Sequence, residues 1–155
     1  MAIYSIHRVQ NIPAPLPQVW DFFSVATNLQ AITPADMNFK IISRHLADRV
    51  YAGQIIEYRL RPVLGIPFYW MTEITHVEHH RFFVDEQRRG PYKLWHHQHH
   101  FKEINEGVEM TDIIHYQNPL WLLGDIANTL FVEKKLYTIF KYREQRIEEL
   151  FGKWQ

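Results

Sequence analysis

The sequence predicts an α+β domain. A curved antiparallel sheet of about seven strands wraps a long C-terminal helix, with two short helices after strand 1. Three observations carry this expectation. From residue 39 to residue 118 apolar and polar residues alternate in short runs separated by tight turns, the pattern of an antiparallel meander. After Asn118-Pro119 the apolar spacing suits a helix and continues to about Phe151. A helix of that length needs a broad apolar partner, and the concave face of the meander is the one available.

Taken in order, Ile3, Ile6, Val9 and Ile12 mark a first strand, ended by Pro13, Pro15 and Pro17. Pro17 suits a helix's first turn, where a missing N–H costs nothing. Val19, Trp20 and Phe23 then form one helical face to about residue 24. A second short helix is expected over Thr27–Ile32, capped by Thr27 or Asn28 and stopped at Thr33-Pro34. Strands follow at 39–44, at 56–61 with Ile56, Tyr58 and Leu60 on one face, and from Phe68 to near His79-His80 with Phe68, Trp70, Thr72 and Ile74 on one face. The run 82–88 gives another, with either Phe83, Asp85 and Gln87 or Phe82, Val84 and Glu86 inward. Arg89-Gly90-Pro91 and Asn105-Glu106-Gly107 are turns on either side of the next strand, and Val108–Gln117 is the last. In the tail, Leu122, Ile126, Leu130, Tyr137, Phe140, Ile147 and Leu150 have the spacing of a buried helix face.

Length and composition suit one domain spanning 1–155. Seventeen basic residues balance seventeen acidic ones, which argues against nucleic-acid binding by charge. The chain has no cysteine, so disulfides, thiolate catalysis and cysteine-ligated zinc are excluded. Neither a signal-peptide pattern nor a run approaching about 18 apolar residues is present, so a cytoplasmic protein without membrane insertion is expected. Aromatic residues make up 15% of the chain, enough to fill a core or to line a cavity.

The stretch Trp95-His96-His97-Gln98-His99-His100-Phe101 concentrates four of the ten histidines. Read with a period of two, Trp95, His97, His99 and Phe101 share a face bracketed by aromatics, which is taken as the buried one. On the last strand Met110, Asp112, Ile114 and Tyr116 form the more apolar face. A tight turn at Asn105-Glu106-Gly107 would place Phe101 near Met110 and His99 near Asp112. His97 would then approach Ile114 or Tyr116. A slip of one residue would reverse all of this. His96 and His100 fall on the outer face, and His79-His80 reads as a turn.

The element order resembles the helix-grip fold of the START-like or SRPBCC superfamily, which includes pollen allergens, lipid-transfer domains and polyketide cyclases. More narrowly, three stretches resemble a bacterial SRPBCC subfamily of uncharacterised proteins, some labelled "cell division inhibitor". They are Asn28-Leu29-Gln30-Ala31-Ile32-Thr33-Pro34, Phe83 to Phe101 with Asp85, Gln87, Gly90-Pro91-Tyr92, Trp95, His97 and His99, and Met110 to Pro119 with Asp112, Ile114 and Tyr116. The resemblance implies a cavity between sheet and helix, and it favours Asp85 and Gln87 as inward residues.

Three uses of the polar cluster follow. His97, His99, Asp112, Tyr116, Asp85 and Gln87 could hydrogen-bond the polar end of a small, largely apolar ligand, or simply one another. Tyr58, Trp70, Trp95 and Tyr137 are the candidates for the aromatic wall. Alternatively His97 or His99, oriented by Asp112, could serve as general base in a cyclase- or dehydratase-type enzyme acting on aromatic or polyketide-like substrates. A His-x-His pair beside a carboxylate is also a spacing that metal sites use. Histidine pairs in strands are more often hydrogen-bonded than metallated, so neither a metal nor another cofactor is expected. Trp121, Leu122 and Leu123 are suited to a homodimer contact or a cavity lid. The subfamily label implies a third class, a regulatory interaction protein without a physiological ligand.

Overall fold

Seven antiparallel strands form one sheet in the order β1-β7-β6-β5-β4-β3-β2. The structure, a computed structural model, describes residues 2–63, 66–118 and 125–155. The strands are β1 (Tyr4–Ile12), β2 (Lys40–Ile41), β3 (Gln54–Val63), β4 (Ile66–Glu78), β5 (Phe82–Arg89), β6 (Leu94–Ile104) and β7 (Gly107–Gln117). Helix α1 (Leu16–Phe23) and two 3₁₀ turns, Ala26–Ile32 and Ala35–Met37, lie between β1 and β2. Helix α2 (Asp125–Phe151) closes the chain and is about 40 Å long at ~1.5 Å per residue. This is the α+β arrangement expected from the turn-punctuated alternation. The expected helix start at Asn118-Pro119 and the apolar Trp121-Leu122-Leu123 run lie outside the described residues, apart from Asn118.

The register of β6 on β7 follows from the short Asn105-Glu106 connection. Phe101 pairs with Met110, His99 with Asp112 and His97 with Ile114. Glu106 adopts a left-handed φ of 68° at this turn. Burial then alternates along both strands, with Trp95, His97, His99 and Phe101 inside on β6 and Val108, Met110, Asp112, Ile114 and Tyr116 inside on β7. The pairing of β4 with β5 shifts register between Met71 and Thr72 and again between Ile74 and His76. Such irregularities add twist and bend the sheet. The resulting curvature makes the inner face concave towards α2.

Two elements differ from expectation. In the run 39–44 only Lys40 and Ile41 are strand, opposite Arg59 and Tyr58, and beyond them Ile42 N donates to the Glu57 carbonyl and Ser43 Oγ accepts from the Glu57 N–H. The Ala26–Ile32 turn starts earlier than expected, so the cap position falls on Val25, which has no polar side chain, and Thr27 and Asn28 lie inside it. Asn28 Nδ2 instead donates 2.9 Å backwards to the Phe22 carbonyl and so ties the turn to α1.

The core has three apolar clusters. Trp20 lies edge-on to Phe83 and Phe101, with Ile12, Val108 and Ile147 in the same cluster. Met37, Phe39, Ile56, Tyr58, Leu60 and Ile74 form a second. Trp95, Ile114, Tyr116, Leu136 and Phe140 form the third. On α2 the buried stripe is therefore Leu136, Phe140 and Ile147, while Leu130, Tyr137 and Leu150 are exposed. The expected face merged two apolar stripes of this helix. Leu130 and Tyr137 are seven apart on one, and Leu136 with Phe140 four apart on the other. Spacing alone cannot say which stripe meets the sheet.

Candidate functional site

Between the concave sheet, the 3₁₀ turns and α2 lies a cavity of about 450 Å³. Its wall is mostly apolar, with Leu29, Ile56, Tyr58, Trp70, Trp95 and Leu136 among its lining. Trp70 and Trp95 meet edge-on at 5.4 Å, and the Trp70 indole donates 3.0 Å to Thr72 Oγ1, which satisfies the one polar atom of that ring. Asp85 from β5, His97 and His99 from β6 and Arg143 from α2 converge on the same cavity, while Lys135, also in its lining, pairs with Asp36 at 3.3 Å.

Each histidine is placed by the pleat. Two residues apart on one strand face, the rings stack at 3.8 Å between centroids. His99 also lies flat against Phe83 at 4.3 Å, and Phe140 meets His97 edge-on at 5.9 Å. His97 Nε2 donates to Asp112 Oδ1 at 2.9 Å, which turns its Nδ1 towards Asp85 Oδ2, 3.6 Å away. His99 Nε2 donates to Asp85 Oδ2 at 2.8 Å. Its Nδ1 lies 2.9 Å from Asp112 Oδ1 but off the line a hydrogen bond needs, so this buried nitrogen has no aligned partner. The two imidazoles thus bridge Asp112, on the same inner face but behind them, to Asp85, which lines the cavity.

Burial would raise the pKa of both carboxylates, and the contacts with His97 and His99 outweigh it. Asp112 and Asp85 are held below the ordinary carboxylate range. Burial and the neighbouring His99 charge push His97 down, despite Asp112 and Asp85. For His99 the hydrogen-bonding contacts with Asp112 and Asp85 outweigh burial, and its pKa rises. Burial and the surrounding charges thus push the two neighbouring imidazoles in opposite directions, His97 down and His99 up. Arg143 is pushed down by burial and supported by the charges of Asp112 and Asp85. Among the described residues its buried Nε meets no hydrogen-bond partner, and its guanidinium carbon sits 5.0 Å from the Phe140 ring centre.

Of the residues singled out from the sequence, Tyr58, Trp70, Asp85, Trp95, His97 and His99 face the cavity. Asp112 stands behind the histidines. Tyr116 is buried under Trp95 and Tyr92. Gln87 is spent on the Gly90–Tyr92 turn: its Nε2 donates 2.7 Å to the Tyr92 carbonyl, and its Oε1 accepts from the Tyr92 N–H at 3.2 Å. Tyr137 needs correction as a wall residue. It is 54% exposed, with the Arg8 guanidinium 5.0 Å over its ring, because it lies on the outer stripe of α2. Reading apolar spacing alone passed over Arg143, a charged residue three positions after Phe140 and four before Ile147 and so on their face. That position was the available signal.

Solved structures share this architecture. Protein CV1439 from Chromobacterium violaceum matches with a TM-score of 0.73 at 10% identity, covering 96% of each chain. Ms6760 from Mycobacterium smegmatis gives 0.68 at 14% identity, covering 97% of this chain and 96% of that one. A START superfamily protein from Mycobacterium smegmatis gives 0.64 at 14%, over 94% of this chain and 98% of that one. The fold is the START-like helix grip. At such identities the likeness establishes the fold alone, and a START-like architecture hosts unrelated chemistries. No sequence-family model matches the chain, and no curated protein matches it by sequence. Among the described residues, no helix is long and apolar enough to cross a membrane.

Proposed function

We propose that this protein binds a small, largely apolar molecule with one polar end. The observation that carries the reading is the cavity of about 450 Å³, walled by Tyr58, Trp70 and Trp95 and carrying Asp85, His97, His99 and Arg143 on one part of its surface. Small-molecule sites combine broad apolar walls with a few convergent polar groups in this way, and their volumes run from about 300 to 1,000 Å³. The START-like fold supports the same reading, since the resemblance implies a ligand cavity between sheet and helix. The apolar body would lie against the aromatics and Leu136, and the polar end would meet the histidines and Arg143. Native mass spectrometry of the purified protein tests this. A retained organic molecule, displaced by the dye ANS with a rise in dye fluorescence, is expected. A protein that is always empty and leaves the dye dark would overturn it.

A second reading is favoured by the His97–Asp112 pair. The bond to Asp112 fixes the His97 tautomer and leaves Nδ1 facing the cavity, while burial keeps the ring neutral. This is a general base in waiting for a cyclase- or dehydratase-type reaction on an aromatic or polyketide-like ligand. Once the native ligand is known, turnover should fall by about 10²-fold or more in His97→Ala. Unchanged turnover would leave binding as the whole function.

A further inference from the structure

We propose that Asp85, His97 and His99 form a binding site for one divalent transition-metal ion at the polar end of the cavity. The site goes beyond the binding of an apolar molecule, and it needs that reading only for what would complete the metal's coordination.

The geometry points to it in three ways. First, one ligand atom from each residue converges within 4.8 Å of the other two. Asp85 Oδ2 lies 2.8 Å from His99 Nε2 and 3.6 Å from His97 Nδ1. Ligands about 2.1 Å from a shared metal stand roughly 3–3.4 Å from one another, so small side-chain shifts bring all three onto one ion. Second, Asp112 stands behind both rings, 2.9 Å from His97 Nε2 and 2.9 Å from His99 Nδ1. A carboxylate on the far nitrogen of each imidazole is the bracing that metal-ligating histidines use, because it fixes the tautomer and raises ligand basicity. It also explains the off-line approach of His99 Nδ1. With Nε2 on a metal, Nδ1 becomes the protonated nitrogen and turns to Asp112. Third, all three ligands stand on adjacent strands locked in register, Asp85 opposite His97 and Phe83 opposite His99. The remaining coordination positions open into the cavity.

The donor set selects the ion. A divalent ion takes the place of the proton that His99 Nε2 shares with Asp85. An anionic group entering from the cavity would fill an open coordination position and meet Arg143, which lines the same cavity. Two imidazoles and one carboxylate suit zinc, iron or cobalt, whereas magnesium and calcium prefer all-oxygen shells.

The test uses full-length protein with any affinity tag removed. Protein equilibrated with zinc and then desalted is expected to keep one zinc per chain by mass spectrometry of the elements. Titration with Co²⁺ should give visible d–d absorption. His99→Asn and Asp85→Asn should each weaken cobalt binding at least 100-fold, and Asp112→Asn about 10–100-fold. The double variant His96→Ala/His100→Ala, which removes outer-face imidazoles, should bind as the parent does. In His99→Cys, a thiolate-to-cobalt charge-transfer band should appear, a signature that a merely structural role would not give. Loss of zinc on desalting the parent, cobalt binding unmoved by His99→Asn, or binding abolished by the outer-face variant would overturn the proposal. ANS binding by chelator-treated protein is read separately. If it persists while metal binding fails, the cavity reading stands and the metal site falls.

Discussion

Asp112 stands opposite His99 across the β6–β7 hairpin, yet its aligned hydrogen bond, at 2.9 Å, comes from His97 two residues along the strand. One carboxylate oxygen thereby holds two stacked rings. Removing its charge leaves both rings to Asp85. Asp112→Asn should lower the unfolding free energy by about 3–5 kcal/mol, the usual cost of breaking a buried pair on one side. Urea titration would show this as a lower midpoint at constant slope. Replacing His97, His99, Asp85, Asp112 and Arg143 together by apolar residues of similar size should recover much of the loss, since the desolvation of the charges disappears with them. A quintuple variant no more stable than Asp112→Asn would contradict this.

Filling the cavity separates binding from stability. Ile139 lines the cavity from α2 and is only partly buried. Ile139→Trp should weaken ANS binding about tenfold or more while changing the melting temperature by only a few degrees, because the new ring occupies existing space. A dye affinity equal to the parent's, measured by fluorescence titration, would place the bound dye elsewhere.

Two glycines should respond differently to alanine. A Cβ on Gly107 would lie 2.1 Å from the Ile12 carbonyl oxygen, a backbone atom that can move only by separating β1 from β7. A Cβ on Gly90 would meet the Gln87 side chain, 2.3 Å from Oε1. Gly107→Ala is expected to cost about 1–3 kcal/mol whatever the background. The cost of Gly90→Ala should nearly vanish once Gln87→Ala is already present. A double-mutant cycle in thermal unfolding reads both.

Alkaline pH probes the cavity wall. Tyr58 is 7% exposed, and burial, helped by the Asp85 charge, raises its pKa above that of a free phenol. In the unfolded chain the group ionises near pH 10. Below that pH both states keep the proton and stability is unaffected. Above it the unfolded state alone loses the proton, so stability falls by up to about 1.4 kcal/mol per pH unit until the folded pKa is reached. The parent should therefore lose stability faster than Tyr58→Phe between about pH 10 and 12. Parallel slopes would show that the phenol is solvated.

The sheet was legible because tight turns fix register. Asn105-Glu106-Gly107 permits one short connection, and from it the pairing of His99 with Asp112 follows. The inward direction of Asp85 was not settled by its strand, since Phe82-Phe83-Val84 offers apolar residues to both faces, and Phe83 and Val84 are both buried. The helix was less legible. Its two apolar stripes compete, and the sheet decides between them by shape. That choice removes Tyr137 from the cavity and brings in Arg143, whose charge hid it from any search for an apolar face. Gln87 shares a face with Asp85 but lies beside a turn rich in unpaired backbone groups, and those take up its amide.

The curvature of the sheet, set by the register shifts in β4, has a consequence for selectivity. It divides the chamber into a stiff half and a pliant half. Asp85, His97 and His99 ride on strands that can shift only by breaking ladder bonds, whereas Leu29, Leu136 and Ile139 ride on a 3₁₀ turn and a helix without ladder bonds to the sheet. Such a chamber is strict about the head group of its guest and lenient about the tail. Homologous ligands that differ in chain length should bind alike, while moving the polar group by a single atom should be felt at once.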